Sequence, residues 1–122
     1  MTDKEQVDIA IIKAWAKQNL VGNSYASPIG LITITVTSIK ETLNQPHKIK
    51  NEKNNAIYIL PELLNESRYV MGTEDTKEKI KEYHYLKIAL KEKPSYIVIK
   101  ETWQGSKHLY SIVDNLKEKK NG

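Results

Sequence analysis

The last third of the chain constrains the fold most. Three strand-like runs, YHYLKIAL, SYIVIKET and KHLYSIVD, are separated only by KEKP and WQGS. A parallel pair needs a crossover of a dozen or more residues, usually a helix, which such links cannot supply. The three runs must therefore pair antiparallel as a meander, with Gly105 available for the positive φ of a hairpin turn.

The preceding two thirds read as helices with two further strands. Thr2 or Asp3 can cap a first helix, with Glu5 in its first turn. Val7, Ile11, Ala14 and Trp15 recur at helical spacing through VDIAIIKAWAKQNL. Gly22-Asn23-Ser24 ends the helix and SYASPIG reads as a loop. LITITV, Leu31 to Val36, alternates like a half-buried strand. TSIKETL predicts a short helix capped by Thr37 or Ser38, with Ser38 and Glu41 at capping-box spacing, and Pro46 stops it. After a polar connection, NNAIYILPELLNES predicts a helix with Ala56, Leu60, Leu63 and Leu64 on one side. Pro61 either kinks this helix or starts its second half. RYVM reads as a short strand, GTEDTKEKIKE as a polar loop and NLKEKKNG as a frayed tail. The expectation is one α+β domain of 122 residues, N-terminal helices packed on one face of a mainly antiparallel sheet. Within it, 1–28 form the first helix and loop, 29–113 the core and 114–122 the tail.

The strand phases define a second, outer face. With Ile32, Ile34, Val36, Leu86, Ile88, Leu90, Ile97 and Ile99 inward, the outward set is Thr33, Thr35, Tyr83, Tyr85, Lys87, Tyr96, Val98, Lys100 and Thr102. On the last strand, Leu109, Ser111 and Val113 inward would leave His108 and Tyr110 outward. The opposite phase, burying Tyr110 with Ile112, stays open. Tyrosine rings stack on bases and lysines hold phosphates, although tyrosine, threonine and lysine also suit an ordinary exposed strand face.

Composition narrows the chemistry. The chain has no cysteine, which excludes disulfides, thiolate metal sites and cysteine nucleophiles. Its three histidines lack metal-ligand spacing, no stretch approaches a membrane span, and the polar, acidic start is not a signal peptide. Neither cofactor nor membrane partner is expected. An address for export, if there is one, would lie on a larger parent chain. The net charge of +4 rests on 18 lysines and the single arginine, Arg68, a balance compatible with nucleic acid.

His84 shares the apolar phase of Leu86 and reads first as a satisfied core histidine. His47 sits among Lys40, Lys48, Lys50 and Lys53, where neighbouring positive charge would hold its pKa near or below about 6.5. A histidine titrating near neutrality beside phosphate-binding lysines suits RNA cleavage, which moves two protons and builds a phosphorane charge without needing a metal. An exposed histidine beside a proline accounts for the same stretch.

ITITVTSIKETL, ILPELLNES, YHYLKIAL and SYIVIKETWQGSKHLYSI together resemble the barnase/EndoU/colicin/RelE-like (BECR) nuclease superfamily. The likeness, over roughly 29–113, is to its branch at the ends of phage head proteins and large polyvalent proteins, also met as polymorphic toxins. The resemblance implies a metal-independent ribonuclease domain, often the toxic end of a larger effector acting in the cytoplasm. Its substrate would be RNA, tRNA or another structured RNA, and a cognate immunity or inhibitor protein is an implied partner. Lys40 and His47 fall where such domains keep a basic catalytic residue; Thr102, Lys107 and Tyr110 fall on the final hairpin. Glu41 stands where a histidine would complete the pattern, and lysine must replace the arginine common in related enzymes. His47 would then be general acid or base, Lys40 and Lys107 would stabilise the phosphorane, and Tyr110 and Thr102 would orient or donate. Tyr83, Tyr85, Lys87, Lys48 and Lys100 would bind RNA. Two other readings stay open: a non-catalytic nucleic-acid- or protein-binding module, and a structural or immunity-type partner protein.

Overall fold

The computed structural model describes residues 2–74 and 80–116. Helix α1 (Thr2–Asn19) leads into the hairpin β1 (Ser24–Ser27) and β2 (Gly30–Thr33). There follow α2 (Val36–Asn44), α3 (Lys50–Asn55), a 3-10 turn (Ala56–Ile59) and α4 (Leu60–Glu66). Strands β3 (Arg68–Glu74), β4 (Ile80–Leu90), β5 (Lys93–Thr102) and β6 (Lys107–Val113) complete the domain. They make one six-stranded sheet in the order β1-β2-β6-β5-β4-β3. Every neighbouring pair is antiparallel except β2 with β6, which run parallel. The expected α+β class and the C-terminal meander are both present, the meander extended by β3.

One core lies between the helices and one sheet face. Ile12 and Ala16 of α1 with Leu20 just beyond it, Ile39 and Leu43 of α2, and Ile57, Leu60 and Leu64 meet Ile32, Leu86, Ile97, Ile99, Leu109 and Ile112. The buried stripe of α1 is thus Ile9, Ile12 and Ala16, continued by Leu20, not the stripe through Ile11 and Ala14, which are exposed. IAIIKAWA is apolar nearly all round, so it carries two overlapping stripes and tertiary packing selects one. The side chains of Thr2, Asp3, Glu5 and Val7 lie outside the described residues.

Several boundaries differ from expectation. SYAS is a strand rather than loop: Pro28 and Ile29 form a tight turn, Ser27 Oγ donates to the Gly30 carbonyl at 2.8 Å, and Gly30 takes φ +109°. The strand β2 ends at Thr33 because Thr35, not Thr37 or Ser38, caps α2. Its side chain accepts from the Ser38 N–H while the Ser38 hydroxyl accepts from the Thr35 N–H, a reciprocal box. Val36, expected inward, becomes the exposed first residue of the helix. Pro61 sits in the first turn of α4, as proline prefers. The expected loop at Gly72–Glu82 contributes its two ends to β3 and β4, and 75–79 lie outside the described residues. So does the tail from 117 onward; Asp114, assigned to that tail, accepts the Lys48 N–H at 2.8 Å.

On β6 neither simple alternation holds. The register shifts between Val98 and Ile99, so Ile97 faces Ile112 and Ile99 faces Leu109, with one extra residue on β6 between them. Both Leu109 and Ile112 are therefore buried in the core, and Tyr110 is turned to the opposite face, where its ring meets Tyr83.

Candidate active site

At the end of the sheet where β4 begins and β5 ends, polar side chains replace the apolar ones on the core-facing side. His84 lies opposite Ile99, and Glu82 opposite Glu101. His84 is buried, at 8% exposure, yet its ring is satisfied. The Nε2 group is 2.7 Å from Glu101 Oε1 and 3.9 Å from Glu82 Oε1, and Nδ1 is 3.4 Å from the Tyr69 hydroxyl. From β6, the Lys107 ammonium stands 4.0 Å from Glu101 Oε2. Four adjacent strands thus converge on one acid–base cluster.

The β3 strand makes room for it. A Cβ on Gly72, which faces His84 in the register, would collide with Glu82 Oε2 and sit 2.8 Å from the Tyr69 hydroxyl. Glycine here serves close approach, since only a hydrogen fits under the carboxylate.

Charge follows the contacts. The hydrogen bond from His84 holds the Glu101 carboxyl below its ordinary value, with Lys107 helping and burial opposing. Burial, aided by Glu82 and Glu101, raises the Tyr69 phenol and keeps it a neutral donor. A carboxylate base, an imidazole, a hydroxyl donor and an ammonium are within reach of one another, the set that general acid–base transfer with anion stabilisation requires. Glu82, His84 and Glu101 each also offer a ligand atom within 4.8 Å of the others, enough to hold a divalent ion. Against that use, Nε2 is already committed to Glu101, and Lys107 already supplies positive charge.

The ten residues singled out from the sequence do not converge. Lys107 joins the cluster. The Thr102 hydroxyl accepts the Ser106 N–H and braces the adjacent hairpin. His47 is elsewhere: Nδ1 accepts the Ile49 N–H at 3.1 Å, and Nε2 is 3.0 Å from Ser95 Oγ, to which it can donate. Ser95 and Glu101 are six residues apart on β5, roughly 20 Å at strand rise, so His47 stands at the opposite end of the strand. Its pKa is lowered, chiefly by burial and secondarily by Lys53 and Lys48, with Asp114 opposing. Lys40 and Lys48 are exposed, Lys40 away from the buried Ser38, Ile39, Thr42 and Leu43 of its helix.

The outer face does gather. The rings of Tyr83 and Tyr110 lie 5.5 Å apart, and Lys100 Nζ is 5.6 Å from the Tyr110 centroid. Lys87 is exposed and faces Tyr96 in the register. Tyr85 is the exception: with Val98 and Ser111 it forms a buried row, at 7% exposure, so its ring has no free face for a base. Burial and the nearby Tyr110 raise its pKa.

Sequence reasoning missed Glu101, Glu82 and Tyr69, and treated His84 as core. The signal lay in hairpin arithmetic: pairing Leu90 with Lys93 places Glu82 opposite Glu101 and puts His84 diagonal to it.

No curated protein and no solved structure matches the chain. No helix among the described residues is long and apolar enough to cross a membrane. A family profile described as large polyvalent protein-associated domain 3 matches residues 10–110, which run from α1 to β6 and include every residue of the cluster. With that span, the chain belongs to the large polyvalent protein-associated domain 3 family.

Proposed function

We propose that this domain is a metal-independent endoribonuclease whose active site is the His84–Glu101 pair with Tyr69 and Lys107. The observation that carries the reading is the 2.7 Å bond between a buried imidazole and an ionised carboxylate beside an ammonium. The resemblance to BECR nucleases and the Tyr83–Tyr110–Lys100 face support RNA as the substrate.

Glu101 accepts the proton of the 2′-hydroxyl as that oxygen bonds to phosphorus. The bond from phosphorus to the 5′-oxygen breaks and this oxygen takes the proton of the Tyr69 hydroxyl; after product release, the proton held by Glu101 returns to the Tyr69 oxygen through solvent. Lys107 neutralises the charge gathering on the phosphoryl oxygens. The products are a 2′,3′-cyclic phosphate and a 5′-hydroxyl. Delivery to the cytoplasm of a target cell within a larger phage or effector polypeptide, and restraint by an immunity protein, belong to the same proposal.

The test is incubation of the purified protein with total RNA in EDTA, with mapping of the cut ends. Glu101→Gln and Lys107→Ala should each lower the rate about 10²–10⁴-fold, while His47→Ala, if folded, should retain it. Intact RNA under EDTA with cutting restored by a divalent ion would replace the acid–base reading with a metal site at Glu82, His84 and Glu101. Intact RNA in both conditions, with no RNA binding at low salt, would favour a protein-binding module.

A further inference from the structure

The β5–β6 turn holds an aromatic residue out of the core. Trp103 is 63% exposed, second only to Leu31 among the large hydrophobic side chains of the described residues. The turn beneath it is closed by three hydrogen bonds. The Thr102 N–H donates to the Ser106 carbonyl at 2.9 Å, the Gly105 N–H to the Thr102 carbonyl at 2.9 Å, and the Ser106 N–H to Thr102 Oγ1 at 3.2 Å. Gly105 takes φ +94°, which closes this turn without strain. Trp103 is the first turn residue after β5 and follows Glu101 by two residues, at most about 7 Å along the chain. Glu101 itself pairs with Lys107 on the far side of the same turn. An exposed indole on a hydrogen-bonded turn, between the proposed base on β5 and the proposed phosphate-binding lysine on β6, has the makings of a stacking platform. Its hydrogen-bonded support lowers the ordering cost of binding, and indole stacking accepts any base.

We infer that Trp103 is a nucleobase-stacking subsite for single-stranded RNA, holding a base next to the phosphate that meets Glu101 and Lys107. This rests on the ribonuclease reading above. It implies that the substrate is cut in unpaired loops or ends, because a base inside a duplex cannot present its face to the indole.

Two measurements test it. The first uses Trp15→Phe with Glu101→Gln, which leaves Trp103 as the single tryptophan and the RNA uncut. Trp15 contacts Tyr58 edge-on at 4.9 Å, a contact phenylalanine can keep. A single-stranded uridine pentamer should quench Trp103 fluorescence saturably, and the same strand within a duplex should not. The second compares Trp103→Ala and Trp103→Tyr in otherwise wild-type protein. Alanine should raise KM for single-stranded RNA about tenfold or more with kcat nearly unchanged, and tyrosine should restore most of it. RNA cleavage with wild-type KM in Trp103→Ala, or equal quenching by single strand and duplex, would overturn the subsite and leave the ribonuclease standing. Saturable single-strand quenching by a protein that cuts no RNA would uphold the subsite and remove the ribonuclease. Neither cutting nor quenching would overturn both.

Discussion

His47 and His84 differ in what their ring nitrogens bond. A ring that accepts a backbone N–H through Nδ1 and faces a serine hydroxyl through Nε2 must be neutral to keep the first bond. The His47 pKa is lowered in the fold, so as pH falls through about 6.5 the unfolded chain takes up its proton first. Its stabilisation is complete above that value and erodes as pH falls toward the folded pKa. Thermal melts should therefore show an acid-side loss beginning near pH 6.5 that is reduced in His47→Gln. Glu101, with its pKa also depressed, contributes stability above the ordinary carboxylate range and loses it as pH falls through its folded value. Melts of Glu101→Gln should lack that second, more acidic loss. If both variants follow the wild-type acid profile, the assigned hydrogen bonds are wrong. The sequence placed His84 in the right phase, since period-2 alternation is dictated by the pleat. It could not say that the next layer of that phase was glutamate and tyrosine, because those partners come from β5 and β3 and depend on register.

At the scale of the element, α2 shows how a buried cation can serve a helix. Lys53 is fully buried, and its ammonium donates to the Thr42 and Leu43 carbonyls at the C-terminal end of α2, the negative pole of that helix. Burial, with Lys50 adding repulsion, lowers its pKa to about 8. The unfolded chain then holds more protons between about pH 8 and the free lysine value near 10.4, so this group makes stability rise with pH across that window. Relative to Lys53→Met, which does not titrate, the wild-type protein should gain stability from pH 8 to 10. Lys53→Ala should cost about 3 kcal/mol or more at pH 7, from the cavity and the hydrogen bonds lost at the Thr42 and Leu43 carbonyls together; denaturant melts decide both. Gly72→Ala belongs to the same scale. The added methyl meets the far end of the Glu82 carboxylate and the Tyr69 hydroxyl, which can move. The expected result is a small change in Tm with a larger loss of RNA cleavage, and the reverse pattern would show that Gly72 serves the strand rather than the site. Helix positions were legible from spacing, but the β4–β5 turn was not. Lys91 and Glu92 both take positive φ, 51° and 67°, in a two-residue connection where asparagine and glycine are the usual signal. Without that turn the register, and with it the Glu82–Glu101 pairing, was hidden in KEKP.

At the scale of the molecule, the two faces of one sheet carry separate duties. The acid–base cluster lies on the helix-facing side beyond the core, while Lys100, Tyr83 and Tyr110 lie on the other side of the same strands. Lys100 and Glu101 are adjacent on β5, so consecutive side chains point to opposite faces. An RNA strand that uses both must pass around the end of the sheet, over the β5–β6 turn. With 18 lysines and one arginine, its backbone contacts would be point charges rather than bidentate clamps. Such contacts release counterions and weaken with salt, by about 0.7 in log–log slope per phosphate on a single strand. Lys100→Ala should therefore weaken binding of uncut RNA by Glu101→Gln protein and reduce that slope by somewhat under one, with kcat at saturating substrate nearly unchanged. Lys107→Ala should instead lower kcat, because its ammonium stands beside Glu101, the proposed base, rather than on the tyrosine face. The opposite assignment, kcat lost with Lys100 and only affinity lost with Lys107, would place the chemistry on the tyrosine face. A long RNA should bind more tightly than a dinucleotide by an amount that Lys100→Ala largely removes, since a dinucleotide spans only the cluster side. Equal sensitivity of long and short substrates to Lys100→Ala would show that the strand does not cross the turn.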